Sequence, residues 1–250
     1  MSRVYKHDLL AYDGLKIFQR DDVFKFSLDS LLLGDFVKFK LRDKSVLELG
    51  CGVGPVLMYL THKTSIKLYG IDIQEESINL AKQSIEYNKL QDQIEVFHMD
   101  ILKAHLHFTP SSFDILICNP PFYKVNDRSI TNKNENKSIS RHEINLNFQD
   151  ILSAGSKLLK TNGGLFLIHR ANRIDEIVYK LISTNYVVKR LRFVYTKPNK
   201  EALMVLIEAR YNGKTGQVKI EEPLYIYDKS NQYTKEVSMI FHLGDESFGK

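Results

Sequence analysis

The 250-residue sequence has little of several features that mark whole classes of protein. It has two cysteines, Cys51 and Cys118, and no Cys-x-x-Cys pair, which excludes a disulfide framework and leaves reduced thiols as the expected state. No apolar run approaches the length of a membrane span, and the first eight residues lack the apolar core of a signal peptide. We therefore expect a cytoplasmic protein that does not enter a membrane.

Metal-ligand patterns are also missing. The eight histidines are scattered, and His105 and His107 form the only close pair. No cysteine or carboxylate stands near them at a spacing typical of a metal site. The sequence therefore predicts no metal centre, and nothing in it indicates an obligate protein partner.

The composition that is present fits a single globular unit with a good core, since 43% of the residues are hydrophobic and 26% are charged. The net charge is +5 and the isoelectric point about 8.9. Excess positive charge is compatible with a polyanionic partner such as nucleic acid. Many basic proteins bind no nucleic acid, so charge alone does not decide the partner.

The most informative stretch is 115–123, which reads Ile-Leu-Ile-Cys-Asn-Pro-Pro-Phe-Tyr. Its apolar run predicts a buried strand that ends at Asn119, and Pro120 and Pro121 stiffen the turn that follows. The Asn119 amide can accept and donate hydrogen bonds side by side, and Phe122 offers a face for a flat base. These residues suit a site that holds a planar amino group while the nitrogen of that group attacks an electrophile. The alternative is that residues 119–121 only end the strand and begin a loop, without a role in binding or catalysis.

A second motif lies upstream at 46–55, Val-Leu-Glu-Leu-Gly-Cys-Gly-Val-Gly-Pro. An apolar strand enters a glycine-rich turn here, and such glycines let the backbone approach a ligand closely. The next predicted strand ends in an acid about twenty residues beyond the turn, a position that suits hydrogen bonding to ribose hydroxyls. The candidate nucleoside-binding residues are Glu48, Gly50, Gly52, Gly54, Asp72 and Ile73, and Asn119 of the first motif is a further candidate for contact with the cofactor.

Asp100 and Ile101 follow the third predicted strand. A carboxylate at Asp100 can accept the amino protons of an adenine, and Ile101 can pack on the adenine ring. The alternative is that Asp100 caps a short helix.

Strands and helices alternate from Ser45 onward, as an α/β sheet requires. We predict strands at Ser45–Leu49, Ile66–Ile71, Ile94–His98, Phe113–Cys118, Leu165–His169, Val187–Tyr195 and Ala202–Ala209. We predict helices at about Pro55–Thr61, Glu75–Asn88, Leu146–Leu159 and Ile174–Ser183. Residues 1–44 are expected to pack on the domain formed by 45–250.

Residues 1–44 have local signals of their own. The stretch 12–20 predicts a small hairpin with its turn at Asp13-Gly14. The stretch 24–37 predicts a helix that starts at Ser27 or Asp29. Phe26, at the head of that helix, is a candidate for contact with the cofactor or the target base.

Two basic regions are candidates for contact with phosphates. The polar stretch 124–143 has no apolar periodicity, and we expect a flap that orders on phosphates, although a solvated loop without a role is the alternative. The closing hairpin carries a second cluster that either binds an RNA backbone or is simply solvated. That cluster is Lys189, Arg190, Arg192, Lys197, Lys200 and Arg210. The substrate-binding candidates overall are Phe26, Tyr123, Lys124, Arg128, Arg141, Lys197 and Lys200.

The pattern Glu-x-Gly-x-Gly-x-Gly at 48–54 resembles the first motif of the S-adenosylmethionine-dependent methyltransferases. Asn-Pro-Pro-Phe at 119–122 resembles the catalytic motif of the members that methylate amino groups. The resemblance implies S-adenosylmethionine as cofactor. It also implies a Rossmann-like seven-stranded methyltransferase sheet with helices on both faces, here with a short N-terminal extension.

Several families share the Asn-Pro-Pro-aromatic motif, and the flanking segments distinguish them. Those segments resemble the bacterial tRNA adenine-N6 methyltransferases that act on the first valine tRNA. They are 26–33, 119–122, 141–143, 158–164 and 223–227. One departure is Thr161-Asn162 before two glycines, where Pro-Gly-Gly is more usual, and it affects a turn.

This resemblance implies methyl transfer to N6 of the adenosine just 3′ of the anticodon, with tRNA as partner. Three alternatives stay open. The first is a guanine-N2 methyltransferase of ribosomal RNA, the second is a protein-glutamine methyltransferase, and the third is an RNA-binding protein that retains the fold without activity.

Overall fold

A mostly parallel β-sheet forms the centre of the molecule in a computed structural model that describes residues 3–9, 14–20, 28–120 and 148–242. The strands are β1 Val4–Asp8, β2 Lys16–Arg20, β3 Ser45–Leu49, β4 Lys67–Asp72, β5 Ile94–His98, β6 Phe113–Cys118, β7 Leu159–Arg170, β8 Tyr186–Tyr195, β9 Ala202–Tyr211, β10 Lys219–Ile220 and β11 Leu224–Tyr225. The helices are α1 Leu28–Phe36, α2 Pro55–Leu60, α3 Glu75–Tyr87, α4 Phe148–Leu158, α5 Ile174–Ser183 and α6 Lys235–Ile240, with 3₁₀ turns at Ile101–Leu106 and Ala171–Arg173.

The strand order across the main sheet is β10-β8-β9-β7-β6-β3-β4-β5, and β11 also pairs with β8. Strand β9 runs antiparallel to β7 and β8, whereas β3, β4, β5, β6 and β7 pair in parallel. The predicted seven-stranded α/β sheet is confirmed, and two further short strands extend its β8 edge. The chain order reverses on either side of β3, and open α/β sheets bind ligands at such a reversal.

Helices cover both faces of the sheet, as predicted. One buried cluster joins apolar side chains of α1, α2, α3 and α6 to one face. A second cluster joins α4, α5 and the 3₁₀ turn at Ile101–Leu106 to the other face. The periodic apolar residues of these helices thus bury their stripes against the parallel strands.

The N-terminal hairpin differs from the prediction. Its first strand, β1, begins at Val4 and pairs antiparallel with β2, from Val4 opposite Arg20 to Asp8 opposite Lys16. The connection is therefore longer than a two-residue turn; Gly14 lies in it with φ +76°, and Asp13 is outside the described residues. The hairpin packs on α3, where the Phe18 N–H donates to Ser84 Oγ at 2.9 Å.

Helix α1 begins at Leu28, so Asp29 lies in its first turn, and Ser27 is outside the described residues. The helix end is bound to the sheet by Arg190 of β8. This guanidinium lies 3.7 Å from the centre of the Phe36 ring, and it donates to the Phe36 carbonyl at 2.7 Å.

Arg190 also pairs with the buried Glu208 at 2.8 Å, and Glu208 accepts from Arg210 at 2.5 Å. The prediction that this cationic cluster contacts RNA is wrong for Arg190 and Arg210. Both are buried and paired with a carboxylate, because an unpaired charge in the core would be strongly unfavourable.

Candidate active site

The glycine-rich turn between β3 and α2 leaves a cradle in the backbone. Gly50, Gly52 and Gly54 all have positive φ, at +73°, +54° and +83°. A Cβ at Gly50 or Gly52 would meet no atom within 4 Å. Glycine is therefore needed for the backbone conformation, and the open space beside it is available to a ligand.

Asp72 at the end of β4 fastens this turn. Its Oδ2 accepts the Gly52 N–H and its Oδ1 accepts the Gln74 N–H, both at 2.8 Å. Burial raises the pKa of the Asp72 carboxyl above its ordinary value, although hydrogen bonds from the backbone of Gln74, Gly52 and Ile73, together with the nearby His98, oppose that shift. A carboxylate offers about four acceptor sites, so Asp72 can hold the turn and still bind a hydroxyl.

Glu48 lies beneath the same turn and is 2% exposed. The Leu57 N–H hydrogen-bonds its carboxyl group, but Oε2 has no partner in the part of the chain that the structure describes. Burial, reinforced by the Asp72 charge, raises the pKa of Glu48 well above its ordinary value. A buried carboxyl oxygen left without a partner fits a polar or cationic part of a ligand.

Asp100 and Ile101 take the local roles of a helix start. Asp100 is the N-cap of the 3₁₀ turn, and its Oδ1 accepts the Leu102 N–H at 2.9 Å. Ile101 is 8% exposed and packs in the core. Ile73, which follows Asp72, is 42% exposed and is the more accessible apolar surface for a flat ring. His98 Nε2 lies 2.9 Å from the Ile73 carbonyl and fixes that segment.

Asn119 follows the last residue of β6, and β6 pairs with β3 so that Cys118 stands opposite Leu49. The Asn119 side chain is half-buried and receives no hydrogen bond from any described residue, whereas Pro120 is buried. The ends of β4, β3 and β6 are neighbours in the sheet. Because adjacent strands are about 4.8 Å apart, Asp72, the glycine turn and Asn119 share one edge about 10 Å wide.

Several predicted site residues lie outside the described residues. These are Phe26, Pro121, Phe122, Tyr123, Lys124, Arg128 and Arg141, together with the polar stretch 124–143. Lys197 and Lys200 are described and lie in the turn between β8 and β9. The Lys197 ammonium donates to Asn231 Oδ1, and Lys200 is exposed.

The residues present fit S-adenosylmethionine. The acid at the end of β4 suits a ribose, and the accessible isoleucine suits a flat base. The open glycine backbone and the unpartnered buried carboxyl oxygen suit a charged amino-acid portion. Sequence reasoning missed the Leu57 and Gln74 backbone donors and the His98 brace. No residue-type signal marks them, since backbone groups and a single histidine carry no pattern.

No helix among those described is both long and apolar enough to cross a membrane. Within the described ranges, no group of three or more histidine, cysteine or carboxylate side chains is placed to hold a metal ion.

Comparison with known proteins gives relatives across most of the chain. The tRNA1(Val) (adenine(37)-N6)-methyltransferase of Flavobacterium psychrophilum is 24% identical over 227 residues, which is 88% of this chain and 94% of that protein. The protein of the same name from Haemophilus influenzae is 25% identical over 245 residues, 93% of this chain and 97% of that protein.

The crystal structure of a predicted O-methyltransferase from Agrobacterium tumefaciens superposes with a TM-score of 0.67 at 20% identity, covering 86% of this chain and 95% of that one. This likeness concerns the fold. The sequence pattern of the methyltransferase small domain matches residues 27–194, which is more than half of the chain, so this protein belongs to the methyltransferase small domain family.

Proposed function

We propose that this protein transfers a methyl group from S-adenosylmethionine to N6 of an adenosine in tRNA, and that the target is the adenosine 3′ of the anticodon in a valine tRNA. The observation that carries the proposal is the shared edge of β4, β3 and β6. There Asn119 lies beside the glycine turn, and Asp72 lies beyond it. The names of the Flavobacterium and Haemophilus relatives support tRNA as substrate.

The residues proposed to bind the cofactor keep hydrogen-bonding groups that the protein itself does not use. Asp72 has acceptor sites left for ribose hydroxyls, and the glycine turn admits the ligand against its backbone. Glu48 Oε2 would hold the amino-acid portion, while Ile73, Asp100 and Ile101 would bound the adenine. When bound, S-adenosylmethionine supplies an electrophilic methyl group on its sulfonium sulfur.

Asn119 and Pro120 would prepare the nucleophile. The N6 amino nitrogen of adenine is a poor nucleophile because its lone pair is conjugated into the ring. Hydrogen bonds from N6–H₂ to the Asn119 side-chain oxygen and the Pro120 carbonyl would draw this nitrogen toward a tetrahedral geometry and aim its lone pair at the methyl group. The N6 proton becomes acidic only after the methyl group has been transferred, so no strong general base is required.

Positioning provides most of the acceleration in this scheme, because an in-line transfer needs the reacting atoms about 3 to 3.5 Å apart. The adenosine must leave its stack to reach Asn119, which an anticodon loop permits more easily than a duplex. Phe122 is proposed to stack on the base, with Tyr123 assisting. The remaining proposed substrate contacts are Phe26, Lys124, Arg128, Arg141, Lys197 and Lys200.

The proposal is tested by incubating the purified protein with labelled S-adenosylmethionine and unmodified total tRNA, followed by nucleoside mass spectrometry. We expect N6-methyladenosine, and fragment mapping then locates it. Label in ribosomal RNA or in a release factor, with none in tRNA, would refute the substrate assignment. Cofactor binding without transfer to any of these would favour a binding protein.

The Asn119→Ala variant tests the catalytic role. Its side chain makes no hydrogen bond to described residues, so the fold has little to lose. We expect turnover to fall at least about a hundredfold, the scale for losing a positioned polar group, while cofactor affinity stays within twofold. The matched control is Asn79→Ala, an exposed position on α3, which should retain full activity. Loss of cofactor binding in the Asn119 variant would contradict this role.

A further inference from the structure

The two loops at the carboxyl end of β8, residues 195–201 and 225–233, form a surface that we call the β8 tip. Strand β8 is antiparallel to β9, and β9 is antiparallel to β7, so β8 points the same way as β6. The β8 tip therefore lies at the same edge of the sheet as Asn119. Two strands separate β6 from β8, which places the tip about 14 Å along that edge.

Backbone hydrogen bonds join the two loops into one unit. The Ile226 N–H donates to the Tyr195 carbonyl at 2.8 Å, and the Tyr227 N–H donates to the Thr196 carbonyl at 2.9 Å. Lys197 reaches across from the first loop to Asn231 in the second. Because the loops are held at several points, the side chains that they carry keep a fixed spacing.

Two tyrosine pairs line the tip. Tyr195 and Tyr225 have ring centroids 5.4 Å apart and planes inclined at 38°. Tyr227 and Tyr233 stack at 5.2 Å and 16°. Tyr227 packs against the buried cluster on the α1 face, but Tyr195 and Tyr225 belong to neither buried cluster. Core packing therefore does not explain the half-exposed pair at the end of β8.

The lysines of the tip outnumber its acids. Lys197, Lys200 and Lys229 lie in the two loops against Glu201 and Asp228, and Lys200, Lys229 and Glu201 are exposed. Asp228 Oδ1 accepts the backbone N–H groups of Ser230 and Gln232 at 2.7 and 3.0 Å, so part of its hydrogen-bonding capacity is used within the second loop. Aromatic faces beside lysines are the composition that binds single-stranded nucleic acid, through stacking on the bases and attraction to the phosphates.

We infer that the β8 tip is a second RNA-binding surface, on which an unpaired nucleotide near the target adenosine stacks against the Tyr195–Tyr225 pair while Lys200 and Lys229 contact phosphates. The inference rests on the proposed function and adds to it a site outside the glycine turn and the Asn119 motif. Tyr225 is the residue chosen for substitution, because it lies on the short edge strand β11 and Tyr195 is its only aromatic neighbour among described residues.

The test compares Tyr225→Leu, which keeps apolar bulk but removes the aromatic plane, with Tyr225→Phe, which keeps the plane. We measure steady-state kinetics on unmodified tRNA and the affinity of a fluorescent anticodon stem-loop by anisotropy. For Tyr225→Leu we expect the tRNA KM to rise about fivefold or more, the scale of one lost base stack, with kcat and cofactor affinity unchanged. The Phe variant should restore the wild-type KM, and Tyr179→Leu, at a position 74% exposed on α5, is the matched control.

Lys200→Glu gives an independent measurement at an exposed side chain and decides the matter if Tyr225→Leu does not fold. We expect weaker stem-loop binding and a salt dependence that is shallower by about one unit of log–log slope. Lys157→Glu, at the exposed end of α4, is its control. If the wild-type enzyme methylates tRNA but these tip variants match it in KM, affinity and salt slope, the inference fails alone. If the wild type transfers no methyl group to tRNA, the proposed function fails first.

Discussion

The Gly52→Ala variant separates a structural role of the glycine turn from a ligand-binding role. Gly52 has φ +54°, and a Cβ there meets no atom within 4 Å. The substitution therefore introduces backbone strain without a clash inside the protein. The added methyl group points into the space that the proposed cofactor must enter.

Gly14→Ala provides the matched control. Gly14 has φ +76° and an equally open Cβ position, but it lies in the connection of the N-terminal hairpin. A left-handed conformation disfavours a residue with a Cβ by about 1–2 kcal/mol. For a chain of this length, each kcal/mol shifts Tm by about 2–4 °C, so both variants should lose about 2–8 °C.

Only Gly52→Ala should weaken S-adenosylmethionine binding. We expect at least a tenfold rise in Kd, equivalent to about 1.4 kcal/mol, because the methyl group blocks close approach to the backbone. Isothermal titration calorimetry gives the Kd and differential scanning fluorimetry the Tm. Equal cofactor affinities in the two variants would refute the assignment of the glycine turn to the cofactor.

Two further predictions concern buried charges. The raised pKa of Glu48 means that the folded protein holds this proton more tightly than the unfolded chain, so its contribution to stability is complete below about pH 4.5 and is lost as pH rises through the folded-state pKa. Glu48→Gln should therefore raise Tm relative to wild type more at pH 8 than at pH 5, and a constant difference across pH would contradict this. Arg190→Met should lower the free energy of unfolding by about 3 kcal/mol, since it leaves Glu208 and the Phe36 carbonyl short of a partner in the core. Lys38→Ala removes an exposed partner of Glu221, a carboxylate that also pairs with Arg190, and should change the free energy of unfolding by less than about 1 kcal/mol. Urea titration measures both variants, and equal losses in the two would contradict the assignment.

The central sheet was predictable because its strands are continuous apolar runs that end in glycine, proline or a polar residue. The predicted bounds of β3, β5 and β6 are those observed, and β8 differs by one residue at its start. Strands β10 and β11 were not predicted, since two residues carry no periodicity. They form because β8 offers free backbone groups to any chain that passes beside it.

The candidate site was predictable where motif residues follow directly on strands, as Asn119 follows β6 and Asp72 ends β4. The hydrogen bond between the Gly52 N–H and the Asp72 carboxylate was not predictable, because it depends on how β3 and β4 are paired. Strand alternation also misassigned Arg190. A cation on one face of a strand is usually solvated, but here Glu208 on the neighbouring strand neutralises it within the core.

The short strands β10 and β11 have a consequence for solubility. Strand β8 has ten residues, and without β10 and β11 one whole side of its backbone would face solvent. Such an open edge pairs readily with strands of other molecules and starts aggregation. The segment from Lys219 to Tyr225 occupies that edge at residues 190–191 and 194–195. A chain cut before Lys219 should therefore self-associate, even though every strand around Asn119 would still be present.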